Sequence, residues 1–136
     1  MRKTIFKAKR SDTATWVEGQ YFEQKLRYGG RAQIYVADAE NEEEEDTGWT
    51  NVLRETLCQL TGKTYDGGKL VWENDLFEVK MNGAETHIEY FNCQVVWHEG
   101  CCAFVFKVIS GDNPILWIAF NDQNILSIRF INNTHD

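Results

Sequence analysis

Glu73 and Asp75 stand two residues apart, a spacing that places two carboxylates on one face of a strand, where acid/base chemistry would need them. Such a pair becomes catalytic only beside a nucleophile or an apolar pocket, and the neighbouring residues supply neither. A turn tied by a carboxylate is the simpler reading, and no residue is assigned a catalytic role. Cys93, His98, Cys101 and Cys102, with His87 upstream, are zinc-ligand types. Zinc needs four donors converging on one point. If Glu99 and Gly100 turn one strand back on another, Cys93 and Cys102 face one side while His98 and Cys101 face the other, so the four do not converge. No metal and no other cofactor is expected, and the cysteines read as small core residues.

Charge and aromatic content supply further candidates. Lys7, Lys9 and Arg10 belong to an opening stretch that also holds Arg2 and Lys3 and contains no acid. A basic strand of this kind can touch nucleic acid, or it can simply protect a sheet edge from aggregation. The run Glu42 to Asp46 could imitate a phosphate backbone and occupy a basic site on another protein, but a solvated acidic loop over 37–48 is the simpler reading. The formal charge of −7 speaks against broad nucleic-acid binding. Trp16, Trp49, Trp72, Trp97 and Trp117 could line a ligand groove, although tryptophan in a small β protein more often fills the core.

The elements that position these residues follow from composition and period. A chain of 136 residues with 43% hydrophobic and 13% aromatic content can bury one core, so a single domain over 1–136 is expected. The opening residues lack the pattern of an export signal, because Lys3, Lys7 and Lys9 interrupt their apolar content. The apolar runs are too short for a helix to span a membrane. The four cysteines lack the regular spacing of a secreted disulfide framework, so a reducing cytoplasm and no membrane association are expected.

Period-two alternation bounded by Gly, Asn and Asp predicts strands joined by tight turns. Between Glu89 and Ile109 it predicts a hairpin that pairs Trp97 with Cys102, Val95 with Phe104, Cys93 with Phe106 and Phe91 with Val108 on one apolar face. A second hairpin is predicted from Ile115–Phe120 and Ile125–Phe130, turning at Asn121 to Asn124. In that pairing Ile115, Trp117 and Ala119 face the core, and Leu116, Ile118, Phe120 and Ile125 crowd the outer face as an apolar patch. Trp49, Val52, Leu53, Thr56, Leu57 and Leu60 follow helical spacing, which predicts a short amphipathic helix over Thr47 to Leu60. The competing reading is a turn that leads into a strand from Leu57.

Three stretches carry a family likeness. Ile5-Phe6-Lys7-Ala8-Lys9-Arg10, then Asp12, Trp16-Val17 and Gly19, is similar to the opening pattern of the YopX family of phage and prophage proteins. Glu55-Thr56-Leu57-Cys58-Gln59-Leu60-Thr61-Gly62 resembles that family's Glu-Thr-Val-Gly-Gln-aromatic-Thr-Gly segment, and Gly68-Lys69, Val71-Trp72 and Glu73-Asn74-Asp75-Leu76 resemble the run that follows it. The departures carry physical content. Asn74 stands where the family has Gly, and Asn tolerates a left-handed backbone. Ala8 and Cys58 replace Gly where chains approach closely, and Arg54 stands where relatives often carry Pro, which weakens the helix reading. The lead-in Asp75-Leu76-Phe77 also looks like the start of a strand in SH3-like barrels, where the carboxylate ties a turn.

The resemblance implies a mainly β, small barrel-like antiparallel fold with at most one short helix. It also implies phage or prophage origin, residence in the bacterial host cytoplasm, and no catalytic residues to transfer. The expected function is therefore non-enzymatic binding, either to copies of itself or to a host or phage protein, through Leu116, Ile118, Phe120 and Ile125. The alternative is a nucleic-acid-associated protein that uses Lys7, Lys9 and Arg10 with stacking aromatics. An enzyme would need Glu73, Asp75 and His87 gathered in one pocket.

Overall fold

Alternating side chains with frequent turn residues give a mainly β protein. The computed structural model describes residues 5–26, 29–35, 48–83, 85, 87–110 and 117–136, and its strands fall into two antiparallel sheets. The chain groups into two compact units, Met1–Leu60 and Thr61–Asp136. Among the described residues the strand orders are open, so the sheets do not close into the expected barrel.

In the first unit, β1 (Phe6–Lys9), β2 (Trp16–Leu26), β3 (Gly29–Tyr35) and β4 (Trp49–Asn51) lie in the order β4-β3-β2-β1, followed by the start of β5 (Cys58–Tyr65). Ala8, Ala32, Ile34 and Val52 form its small core, with Phe6, Val17, Tyr21 and Leu57 packed against them. Ala8 is fully buried between two paired strands, so the small side chain at this position is accommodated. At Gly19 a Cβ would overlap the carbonyl oxygen of Tyr35, which makes glycine the residue that lets β2 and β3 approach. Gly19→Ala is expected to cost about 2–3 kcal/mol through the backbone shift it forces, read as a lowered urea midpoint.

Among the described residues of the stretch Thr47 to Leu60 the predicted helix is absent; β4, a single 3₁₀ turn at Arg54–Thr56 and the start of β5 lie there. Long-range bonds outcompete the local pattern. Val52 N–H donates to Ala32 O at 3.0 Å and Leu53 N–H to Lys9 O at 2.8 Å, which ties the backbone to other strands. Thr56 Oγ1 accepts Lys9 N–H at 2.8 Å and donates to Leu53 O at 2.7 Å. The competing reading, a turn leading into a strand at Leu57, matches the observed start of β5 at Cys58.

Past Leu60, β5 enters the second unit and turns into β6 (Lys69–Trp72) through Asp66 and Gly67, at φ 49° and 84°, with Gly68 N–H donating to Tyr65 O at 3.1 Å. Two successive positive φ angles at the centre of a turn are the geometry that Asp-Gly favours. Then come β7 (Asp75–Asn82), β8 (Ile88–His98), β9 (Ala103–Val108), β10 (Trp117–Ala119) and β11 (Ile125–Asn133), in the order β10-β9-β8-β7-β11. One face of this sheet, with Phe77, Val79 and Met81 of β7, Phe91, Cys93 and Val95 of β8, Phe106 of β9 and Ile118 of β10, forms a core with Val71. Each such side chain contributes roughly 1.5–3 kcal/mol by leaving water.

The β8–β9 hairpin forms, but its register differs from the predicted one by two residues. Val95 pairs with Phe106, Cys93 with Val108 and Trp97 with Phe104, because the loop runs over Glu99 to Cys102 rather than two residues. Cys102 takes φ 50°, and its N–H bonds to Glu99 O at 3.2 Å. A shift of two keeps every β8 and β9 residue on its predicted face, but it removes Cys102 from the core and leaves it exposed. Trp97, at the sheet end, is exposed as well.

The predicted β10–β11 hairpin is overturned. The two strands occupy opposite edges of the sheet, with β10 paired to β9 and β11 paired to β7. This reverses the predicted faces of β10 and of Ile125, while Ile128 of β11 packs against the core: Ile118 pairs with Phe106 in the core, Phe120 and Ile125 pack against that core, and Trp117 is exposed. The apolar patch expected from Ile118, Phe120 and Ile125 is therefore part of the unit's own interior. Leu116 lies outside the described residues, as do Ile115 and the acidic run Glu42 to Asp46.

Candidate functional site

The outward face of the first sheet collects exposed aromatic and basic side chains. In an antiparallel ladder, directly paired residues share a face. Lys7 pairs with Glu18 and Lys9 with Trp16, and along β2 the same face continues through Gln20 and Phe22. Phe22 pairs with Gln33, Gln20 with Tyr35, Tyr35 with Trp49, and Gln33 with Asn51. Phe22, Tyr35 and Trp49 are exposed by 50%, 39% and 51%, yet Trp49 touches both of the others. Their ring centroids lie 5.4 Å apart for Phe22 and Trp49, and 5.3 Å for Tyr35 and Trp49. Lys7 Nζ sits 4.3 Å from the Trp16 ring centre and Lys9 Nζ sits 5.5 Å from it. Gln33 Nε2 donates to Asn51 Oδ1 at 2.9 Å in the same field.

Edge protection does not account for these lysines. β1 is paired on both sides, with β2 and with β5 through Phe6–Gln59 and Lys7–Cys58, so it is an interior strand with no free edge to guard. Arg10 turns aside to Asp12, with an ion pair of 2.9 Å, and does not join the face. The sequence reading missed Phe22 and Tyr35 and placed Trp49 on a helix. The signal was present in the alternation Trp16, Glu18, Gln20, Phe22, whose outward positions carry rings at both ends.

Several of the residues that carry the YopX likeness make structural bonds or turns. Asn74 adopts φ 70°, the left-handed conformation expected of it, and its side chain accepts Gln94 Nε2 at 3.0 Å. Asp75 is buried; its Oδ2 accepts Trp72 N–H at 2.8 Å and its Oδ1 accepts Asn133 Nδ2 at 2.9 Å. Asn133 Nδ2 also reaches Glu73 O at 3.1 Å, so the carboxylate ties both the β6–β7 turn and the end of β11. Tyr65, whose phenol is raised above its usual range by burial and by the nearby Asp75 charge, stands against the same turn. Thr61 Oγ1 donates to Val71 O at 2.7 Å, Gln59 pairs with Phe6, and Gly62 and Gly68 take φ 87° and 117°.

Among the described residues no group of three or more His, Cys, Asp or Glu side chains could hold a metal ion. His87, Cys101 and Cys102 are exposed, while Cys58 and Cys93 are buried. Burial pushes the Cys93 thiol from an ordinary 9.0 up to about 12. An unfolded chain therefore releases this proton first as pH rises, so the stabilisation present below pH 9 is lost between 9 and 12. By pH 10 the loss is about 1.4 kcal/mol, and urea midpoints measured from pH 8 to 10 should fall further for the wild type than for Cys93→Ala.

Comparison with family models, curated proteins and solved structures finds no match to this chain. Among the described residues no helix is long and apolar enough to cross a membrane.

Proposed function

We propose that this protein is a non-catalytic binding protein, a phage or prophage accessory protein of the kind its YopX likeness implies, acting in the host cytoplasm through the outward face of the first sheet. The observation that carries this reading is the contact cluster of Phe22, Tyr35 and Trp49, three large rings left in water on the face that also holds Lys7, Lys9 and Trp16. Contiguous exposed rings beside cations are the composition of an interaction surface. Asp75, the strongest catalytic candidate in the sequence, is engaged on both carboxylate oxygens by structural bonds, which supports a binding role over an enzymatic one. The test retains material from a host-cell extract on immobilised protein and compares wild type with Phe22→Ser/Trp49→Ser, with circular dichroism to show that both are folded. Material retained only by wild type supports the reading; equal retention sinks it.

A second reading, self-association, keeps the C-terminal strands but moves the contact to an edge. β11 is an outer strand, and Leu126 and Ile131 are exposed by 48% and 43% at its two register irregularities. Its one charge, Arg129, is already paired with Glu78 at 3.3 Å. Light scattering of wild type and Leu126→Lys/Ile131→Lys decides this reading. A wild-type dimer that becomes a folded monomer upholds it, and a wild-type monomer removes it.

A further inference from the structure

We infer that the outward face of the first sheet takes a single-stranded nucleic acid; this rests on the reading of that face as the binding surface. Three features converge on this ligand. The first is stacking area: Phe22, Tyr35 and Trp49 present exposed rings on β2, β3 and β4, and bases stack on such rings largely regardless of sequence. The second is charge. Among the described residues Lys7, Lys9 and the exposed Arg31 lie on the face against one acid, Glu18, in a chain whose formal charge is −7. Since β1 is an interior strand, its lysines have no edge to protect, and their charge on the face beside the rings suits a phosphate backbone. The third is the carboxamides of Gln20, Gln33 and Asn51, which lie among the rings with donors and acceptors for base edges.

A duplex does not fit this surface. Its bases are stacked on one another and cannot meet rings that lie on an open sheet, and the acidic whole repels a doubled phosphate density. The run from Trp16 to Phe22 spans about 20 Å at roughly 3.3 Å per residue, room for several extended nucleotides. The second sheet's outer face is the weaker candidate, although it too carries rings and cations. There Trp117 leans on His98 at 4.8 Å, and Arg129 is held by Glu78.

The experiment is fluorescence anisotropy of a labelled twenty-nucleotide oligothymidylate with the full chain. Three phosphate contacts predict that affinity falls about 20-fold between 50 and 200 mM salt. Lys7→Gln/Lys9→Gln should weaken binding at low salt and flatten the salt slope by about 1.4. Trp49→Ser should weaken it about tenfold or more with the slope unchanged. Tyr90→Ser, an exposed ring of the second unit, should leave it unchanged. Preference for a duplex of the same length, or equal binding of a polyglutamate probe with no effect of Trp49→Ser, overturns the inference. If the oligonucleotide does not bind while Phe22→Ser/Trp49→Ser still abolishes retention of an extract protein, the nucleic-acid inference fails and the face remains the binding surface. If neither assay responds to the face, both readings fall.

Discussion

Ile118→Lys lowers the unfolding free energy by about 3 kcal/mol or more and leaves the solution mass of the remaining folded protein unchanged, because it removes a core side chain and adds a charge with no partner. Ile118 is only 3% exposed, lies opposite Phe106 and belongs to the same cluster as Phe77 and Val95. Phe120→Lys should cost less, since that ring is half-buried, but it would bring a second cation towards Lys63, whose Nζ lies 5.6 Å from the Phe120 ring centre. Urea denaturation with light scattering checks both. A stably folded Ile118→Lys protein whose mass has halved would restore Ile118 as an interface residue and contradict its burial.

Asp75→Ala is expected to cost about 3–4 kcal/mol, because hydrogen bonds to a charged acceptor contribute about 1.5–3 kcal/mol each and their loss strands buried donors. Trp72 N–H would lose an acceptor in a buried residue, and the Asn133 amide would lose its bond to the carboxylate while keeping the one to Glu73 O. Asp75→Asn keeps the shape and should fall between wild type and Asp75→Ala. The double variant Asp75→Ala/Asn133→Ala should be less damaging than the sum of the singles, by about 1 kcal/mol, since the two side chains share a bond. Midpoints within 0.5 kcal/mol of wild type, the scale of an ordinary surface substitution at about ±0.5 kcal/mol, would mean that the carboxylate does not tie the turn.

The proposed face and these two predictions concern different units, and this separates their tests. Substitutions at Phe22 and Trp49 alter exposed rings and should leave the second unit's core intact, whereas Ile118 and Asp75 act on stability and lie far along the chain from those rings. A loss of oligonucleotide binding with an unchanged urea midpoint is therefore the pattern expected of face variants.

What the sequence determined by itself is the local alternation and the turn chemistry. The period-two pattern of β8 and β9 specified which of their residues face the core, and this survived a register error of two because the pleat repeats every two residues. Asn74 could be assigned its left-handed turn, and Asp75 its tie, because those roles depend on residues close in sequence. Asp66-Gly67 carries the same kind of local turn signal, since both residues take positive φ. Tertiary structure decided what depends on distant partners. Trp49 to Leu60 has helical spacing, yet backbone bonds to Lys9 and Ala32 make it strand and turn. β10 and β11 are consecutive and joined by turn residues, yet pairing with β9 and β7 sends them to opposite edges and turns Ile118 inward. The aromatic face was hidden for the same reason: Phe22, Tyr35 and Trp49 come from three strands, and only the register of those strands brings their rings together.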